Sequence, residues 1–272
     1  MCCFSRAVRH VSSTSIFARM ASPGRQLLAY SMSVEASEEL AMILPLPVPP
    51  GCGEDAVRFI DLSGYPRFFR DLDEAFPSIV LPPKSRGLFE GLDLEAKLEV
   101  HQVGDFEASF VPTMADLARL DPRFQIDEGV WRKQPQYADY GFAVFKLRGF
   151  GAGLLGRVAH RAVRRDFHPM ALEFPTRARD VFFPTVHIHD GEMHPSALFD
   201  HALYTQSTGR PATLSLEPDF AVASSSWQQG WGVDEAVRVD ATAGLVTPGG
   251  RLFRHGLHGT LANTDRWASV AG

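Results

Sequence analysis

Apolar and polar residues alternate along much of this chain with a period of two, the pattern of β-strands whose two faces meet different surroundings. The runs Thr14–Met20 and Gln26–Val34 are separated by a Ser-Pro-Gly turn and predict a hairpin. The run Leu40–Leu46 is more continuously apolar and predicts a buried strand that ends where prolines follow. Further strands are predicted at Leu98–Val103, Phe106–Val111, Tyr140–Arg148, Met170–Phe174 and Thr213–Leu216.

One stretch follows helical spacing instead. Within Tyr65–Phe76, the residues Phe68, Phe69 and Leu72 fall on one side of a helix, and Pro77 would end it. Strands therefore outnumber helices, and neither an internal repeat nor a long linker divides the chain. The pattern predicts an α+β fold dominated by antiparallel β-sheet with a few packed helices, in a single domain over residues 1–272.

A glycine-rich and then basic stretch interrupts this pattern at residues 149–168. Gly151, Gly153 and Gly156 match the spacing of a nucleotide-binding loop. That loop requires repeated βαβ units, whereas the flanking sequence predicts antiparallel hairpins. We therefore expect 149–168 to be a lid or an insertion that contains a helix with a basic face.

The segment Val181–Tyr204 holds four of the ten histidines in the chain. Alternation places His187 and His189 on the same face of an extended strand. Asp190 and Gly191 then predict a turn into a second extended run. The prediction is a hairpin with a polar face that can bind a metal; ordinary hydrogen-bonded histidines are the alternative.

Imidazole is the commonest metal ligand in proteins, so a His-x-His pair supplies two ligands that already point the same way. A thiolate as third ligand would suit copper or zinc, and a carboxylate would suit non-haem iron. The pair followed by Glu192 resembles the cupin motif, although this acid comes one residue too soon and no second motif follows. The predicted metal ligands are His187, His189, His194 and Cys3, with His201, Glu192 and Cys2 as alternatives.

These residues predict a metal-dependent enzyme, an oxidoreductase whose transition metal is preferably copper, with iron or zinc as alternatives. The substrate would be a small molecule or a peptide. Two other functions stay open: a non-catalytic metal-binding or partner protein, and a cysteine-dependent hydrolase whose nucleophile is an N-terminal cysteine. The predicted catalytic residues are Cys2, Cys3, His201 and Tyr204. We also expect the start of the chain to meet the histidine segment in space.

Composition limits the classes of partner that the chain could bind and the cellular compartment in which it is expected. The net charge of −5 gives no basic surface for nucleic acid, and no apolar run approaches the ~18 residues of a membrane span. The first residues lack the apolar stretch of a signal peptide, and the 3 cysteines make a poor disulfide framework. The chain is predicted to be cytoplasmic, with reduced thiols and no nucleic-acid or membrane partner.

The first quarter of the chain resembles a bacterial family of unknown function. The residues that carry the resemblance are Cys-Cys-Phe at 2–4, an Ile-Phe-Ala run at 16–18 and Leu-Pro-Val-Pro at 46–49, in that order. The resemblance implies a β-rich start. It implies no activity, because that family has none assigned.

Overall fold

The structure is a computed structural model that describes residues 2–76, 106–150, 162–209, 213–215 and 227–269. β-Strands dominate these ranges, which confirms the β-dominated α+β fold predicted from the sequence. No helix in these ranges is long and apolar enough to cross a membrane.

The strands pair mostly with distant parts of the chain, and the helices are short. The strands are β1 (Cys2–Phe4), β2 (His10–Ser22), β3 (Arg25–Ala36), β4 (Leu40–Leu46), β5 (Arg58–Asp61), β6 (Phe106–Val111), β7 (Gly141–Leu147), β8 (Val163–Asp166), β9 (Met170–Pro175), β10 (Val181–Phe183), β11 (His187–Ile188), β12 (Ser196–Ser207), β13 (Thr213–Ser215), β14 (Gln228–Gly232), β15 (Arg251–Ala262) and β16 (Arg266–Ser269). The α-helices are α1 (Phe68–Glu74), α2 (Glu128–Arg132) and α3 (Val233–Ala236), and 3₁₀ turns span Ala115–Arg119, Pro122–Phe124, Pro135–Tyr137 and Val239–Thr242.

The described strands form three sheets. The central sheet has the order β14-β15-β12-β2-β3-β9-β5, and β8 pairs with β3 beside β9. The second sheet has the order β11-β1-β4-β7-β6, and the third and smallest has the order β10-β16-β13. Most pairs are antiparallel; β1 with β11 and β12 with β2 are parallel.

Both faces of the central sheet are buried, because alternate residues of its strands belong to different apolar clusters. Ile16 and Ala18 lie in the cluster that the central sheet shares with the second sheet. Phe17, between them, lies in the cluster that also contains the α1 residues Phe68 and Leu72. The central sheet is therefore the middle layer of the molecule.

Helix α1 confirms the predicted helical stretch, although it is shorter than predicted. Phe68, Phe69 and Leu72 are its buried residues, as their spacing indicated. The chain before it, from Tyr65, forms a turn in which the Tyr65 hydroxyl donates to the Asp71 carboxylate at 2.6 Å. This bond ties the turn to the helix that follows.

The predicted hairpin over the histidine segment is wrong. The turn exists: Gly191 has φ +84° and the Asp190 carboxylate accepts a hydrogen bond from the Glu192 N–H. The strands around it, however, do not pair with each other. β10 joins the third sheet, β11 the second and β12 the central sheet. Pro184 follows β10 directly and has no N–H to donate to a neighbouring strand.

The prediction for residues 149–168 falls largely outside the described residues, which omit 151–161. The part that is described corrects it. Val163–Asp166 is strand β8, so Arg164 and Arg165 belong to a strand paired with β3 rather than to a helix with a basic face. The predicted strand Leu98–Val103 also lies outside the described residues.

Candidate functional site

The start of the chain lies beside the histidine segment. Strand β1 runs parallel to β11, with Cys2 in register with His187 and Cys3 in register with Ile188. β1 also pairs with β4 on its other side. The prediction that these two distant segments meet is confirmed for the backbone.

Three imidazoles, His187, His189 and His201, pack together in the interior; we call them the histidine cluster. His187 Nε2 lies 3.0 Å from His201 Nε2. The His187 and His189 rings stack at 4.8 Å with an interplanar angle of 17°, so the two imidazoles point the same way as predicted. The Phe199 ring stacks on His187 from the other strand, at 4.5 Å. The cluster is a packed unit that joins β11 to β12.

The histidine cluster is neutral at physiological pH. Burial, aided by nearby positive charge, lowers the pKa of His187 to about 2 and that of His189 to about 4. Burial likewise holds the pKa of His201 well below its ordinary value. In the 3.0 Å contact, one neutral ring donates its N–H and the other accepts.

The loop between β15 and β16 holds the histidine segment in place, and the sequence patterns did not single it out. The Asn263 amide accepts from the His187 N–H at 2.7 Å and donates to the carbonyls of His187 and His194. The Asp265 carboxylate accepts from the N–H groups of Thr185 and Val186. Short polar side chains in a loop are common, which is why these two left no recognisable signal.

The second oxygen of the Asp265 carboxylate accepts a hydrogen bond from the Tyr137 hydroxyl at 2.6 Å. Burial raises the pKa of the Asp265 carboxyl, although the hydrogen bonds from Tyr137 and the backbone oppose that shift. The Tyr137 hydroxyl is also buried. Burial is the main reason that its pKa is raised well above the ordinary value, and the charge of Asp265 adds to the effect. This pair fastens the histidine segment to the turn after α2.

Cys3 does not join the histidine cluster. Cys3 is in register with Ile188 and Ile43, and successive residues of a strand point to opposite faces. The neighbouring residue Phe4 packs its ring against His189 at 5.7 Å. The Cys3 thiol is therefore buried on the other face of the second sheet, away from the imidazoles.

His194 is also separate from the cluster. Its ring is 54% exposed and bonds to the Asp190 carboxylate at 2.8 Å, which raises the pKa of His194. The described residues contain no group of three or more His, Cys, Asp or Glu side chains that could hold a metal ion. The predicted ligand set of His187, His189, His194 and Cys3 is thus not brought together.

Two of the predicted catalytic residues, His201 and Tyr204, make their contacts on different sides of β12. The His201 ring is hydrogen-bonded to His187 on the side of the second sheet. The Tyr204 hydroxyl instead donates to the Asp73 carboxylate of α1 at 3.0 Å. Both residues contribute to the wall of a cavity of about 340 Å³ beside α1. Burial raises the pKa of Tyr204, so its hydroxyl stays protonated.

No family model and no curated protein matches this chain. The resemblance to a bacterial family of unknown function therefore stays a prediction. Among solved structures, the chain is similar to baculovirus P35, at 13% identity and a TM-score of 0.46, over 96% of this chain and 97% of that one. It is also similar to a mutated baculovirus P35 after caspase cleavage, at 13% identity and a TM-score of 0.45, over 96% and 100%. A third similar structure is the caspase-8/P35 complex, at 12% identity and a TM-score of 0.43, over 95% and 96%.

The prediction of a metal-dependent oxidoreductase is corrected, because the described residues contain no side-chain group that could hold its metal. The predicted partner, a small molecule or a peptide, is also corrected; the third of these structures is of P35 with another protein, caspase-8. A bound transition metal stays a prediction.

Proposed function

We propose that this chain is a non-catalytic protein that acts by binding another protein. The observation that supports this best is Trp231, whose side chain is among the exposed large hydrophobic ones at 59%. It lies on β14, the outermost strand of the central sheet in the described residues. Tryptophan is enriched among the residues that carry most of the binding energy in protein interfaces.

Trp231 is held in place by its backbone. Its N–H donates to the Ala75 carbonyl, just after α1, at 2.8 Å. The preceding Gly230 lies so close to the same element that a Cβ there would sit 2.9 Å from both the Ala75 carbonyl and a ring carbon of Phe76. A side chain on a fixed backbone loses less conformational freedom on binding. The entropic cost that reduces the free energy of binding is therefore smaller.

The residues around Trp231 supply a polar rim. The Arg254 guanidinium lies over the Phe76 ring at 4.8 Å, forms an ion pair with Asp73 and donates to the Gln228 amide. An aromatic anchor bordered by charged and amide groups is the usual arrangement of a protein interface.

The histidine cluster supports the same proposal. Its imidazoles are neutral, stacked on one another and bonded across β11 and β12. In this arrangement they contribute packing between sheets, which is the alternative that the sequence left open for ordinary hydrogen-bonded histidines.

We propose a cysteine protease of the caspase class as the partner to test first. P35 has been solved in complex with caspase-8, and a mutated P35 has been solved after caspase cleavage; this choice comes from those structures. We also propose a cytoplasmic location, which is supported by the thiols that Cys3 and Cys52 carry.

Binding to caspase-8 whose catalytic cysteine is replaced by alanine, measured by biolayer interferometry, tests the proposal, because this active site stays open but cannot cleave the chain. We expect the wild-type chain to bind and Trp231→Ala to bind roughly 30-fold more weakly, the size of an interface hot spot. Leu198→Ala is the matched control, because Leu198 is 75% exposed on a different strand and should leave the affinity unchanged.

Each outcome has a separate meaning. If neither caspase-8 nor other caspases bind, the partner class is wrong. If a caspase binds Trp231→Ala as tightly as the wild type, the β14 edge is not the binding site.

A further inference from the structure

A cavity of about 520 Å³ lies at the turn between β2 and β3. Its wall includes Arg19 and Arg179, the hydroxyl residues Ser22 and Ser207, and the apolar Met20. Its size is within the range of small-molecule sites. We call it the cationic cavity, because its wall among the described residues contains two arginines and neither an aspartate nor a glutamate.

Arg19 is a buried cation that no carboxylate contacts among the described residues. Its side chain is only 8% exposed. Its guanidinium donates to the carbonyls of Leu245 at 2.7 Å, Gly244 at 2.8 Å and Met20 at 3.1 Å. A guanidinium has five N–H groups, so two of them make no bond to a described residue. Buried charges are normally paired, which leaves Arg19 short of an anion.

The acid whose charge acts on Arg19, Glu173, is already paired with other residues. Burial lowers the pKa of Arg19, and the charge of Glu173 partly offsets this effect. The Glu173 carboxylate, however, bonds to Arg25 at 2.7 Å and to Arg58 at 2.6 Å. It is therefore paired with two other arginines, and it does not line the cationic cavity.

Arg179 places a second positive charge at the cavity. Arg179 is exposed and forms no ion pair with the described residues. An anion in the cavity could thus pair with two guanidinium groups. That of Arg19 is buried and fixed by its hydrogen bonds, and that of Arg179 is exposed at the rim. Guanidinium groups bind carboxylates and phosphates through paired N–H donors, and nearby hydroxyls add further donors.

We propose that the cationic cavity binds a small organic anion: a carboxylate or phosphate group attached to a short apolar body. The arginines receive the anionic group, and the apolar part of the wall, including Met20 and Pro23, receives the body. This site is independent of the protein-binding edge at Trp231, and neither proposal requires the other.

Isothermal titration of the full chain with hexanoate, hexyl phosphate and hexanol tests the proposal. We expect hexanoate, hexyl phosphate or both to bind and hexanol to fail, because the neutral alcohol has nothing for the guanidinium groups to pair with. The tighter of the two anions identifies the carboxylate or the phosphate as the natural group.

Arg179→Gln is the test variant, since it removes a rim charge without disturbing the buried bonds of Arg19. We expect it to weaken anion binding at least tenfold, about the value of one charge-assisted hydrogen bond. Arg132→Gln, at the exposed end of α2 and outside the cavity, is the matched control and should bind like the wild type. Failure of both anions, equal binding of hexanol, or equal losses in the two variants would overturn the proposal.

Discussion

At the scale of single residues, Gly141 shows how closely the second sheet is packed. A Cβ on this β7 residue would lie 2.5 Å from a Phe110 ring carbon and 3.0 Å from a Val48 methyl. Both neighbours are buried and have little room to move. Glycine is required there by close approach rather than by backbone conformation.

We predict that Gly141→Ala lowers the free energy of unfolding by about 1–3 kcal/mol, the usual penalty for overpacking a core. Urea denaturation measures it. Gly64→Ala is the control, because nothing lies within 4 Å of the added Cβ at that position. Equal stability of the two variants would contradict the described packing.

Asn263 is a second position where one side chain supports a larger unit. It is 2% exposed and bonds to both the N–H and the carbonyl of His187. We predict that Asn263→Ala costs about 2 kcal/mol or more, because it leaves buried backbone groups without partners. Differential scanning calorimetry should show a clearly lower Tm, and an unchanged Tm would show that the histidine segment is held in another way.

At the scale of elements, the histidine cluster makes the packing of β11 on β12 sensitive to acid. Its imidazoles are neutral in the folded chain but titrate near 6.5 when unfolded. The unfolded state therefore binds more protons as the pH falls below about 6.5, and stability is lost from there down to the folded pKa, about 4 for His189. Asp265 acts in the opposite direction, because its raised pKa favours the folded state in acid, but it is one group against three.

We predict that the free energy of unfolding in urea is lower at pH 5 than at pH 7.5 by about 2 kcal/mol or more. His189→Phe should reduce this loss, since a phenyl ring can replace the imidazole against Phe4 without titrating. His194→Gln should retain it, because His194 is exposed and its pKa is raised rather than lowered. A loss that is the same in all three proteins would show that other groups cause it.

The elements that were predicted correctly are those whose own sequence decides them. β4 and β6 have the predicted bounds, since a run of apolar or alternating residues determines both. The predicted hairpin failed because pairing is not local: β11 takes its partner from the first residues of the chain. No pattern within the histidine segment encodes that distant choice.

The same distinction holds for the candidate site. Alternation correctly placed His187 and His189 on one face, because it depends on strand geometry alone. Burial cannot be read from the residue types, so the sequence does not show that the His187 imidazole packs on Phe199. The position of Cys3 on the opposite face depended on the register of β1 and β11, which only the fold reveals.

At the scale of the whole molecule, the central sheet separates two kinds of surface. One face and its histidine cluster are closed against the second sheet, and the other carries α1. The β14 edge beside α1 carries an exposed indole, which is why we place the protein partner there.

The mass of the species formed with a caspase tests this account most directly. The wild-type chain and caspase-8 whose catalytic cysteine is replaced by alanine should elute together in size-exclusion chromatography with light scattering, at the summed mass of the two proteins. Trp231→Ala should shift that population back toward the separate proteins. Elution of the wild-type chain and caspase-8 as two unassociated species at micromolar concentration, repeated with other caspases, would contradict the account.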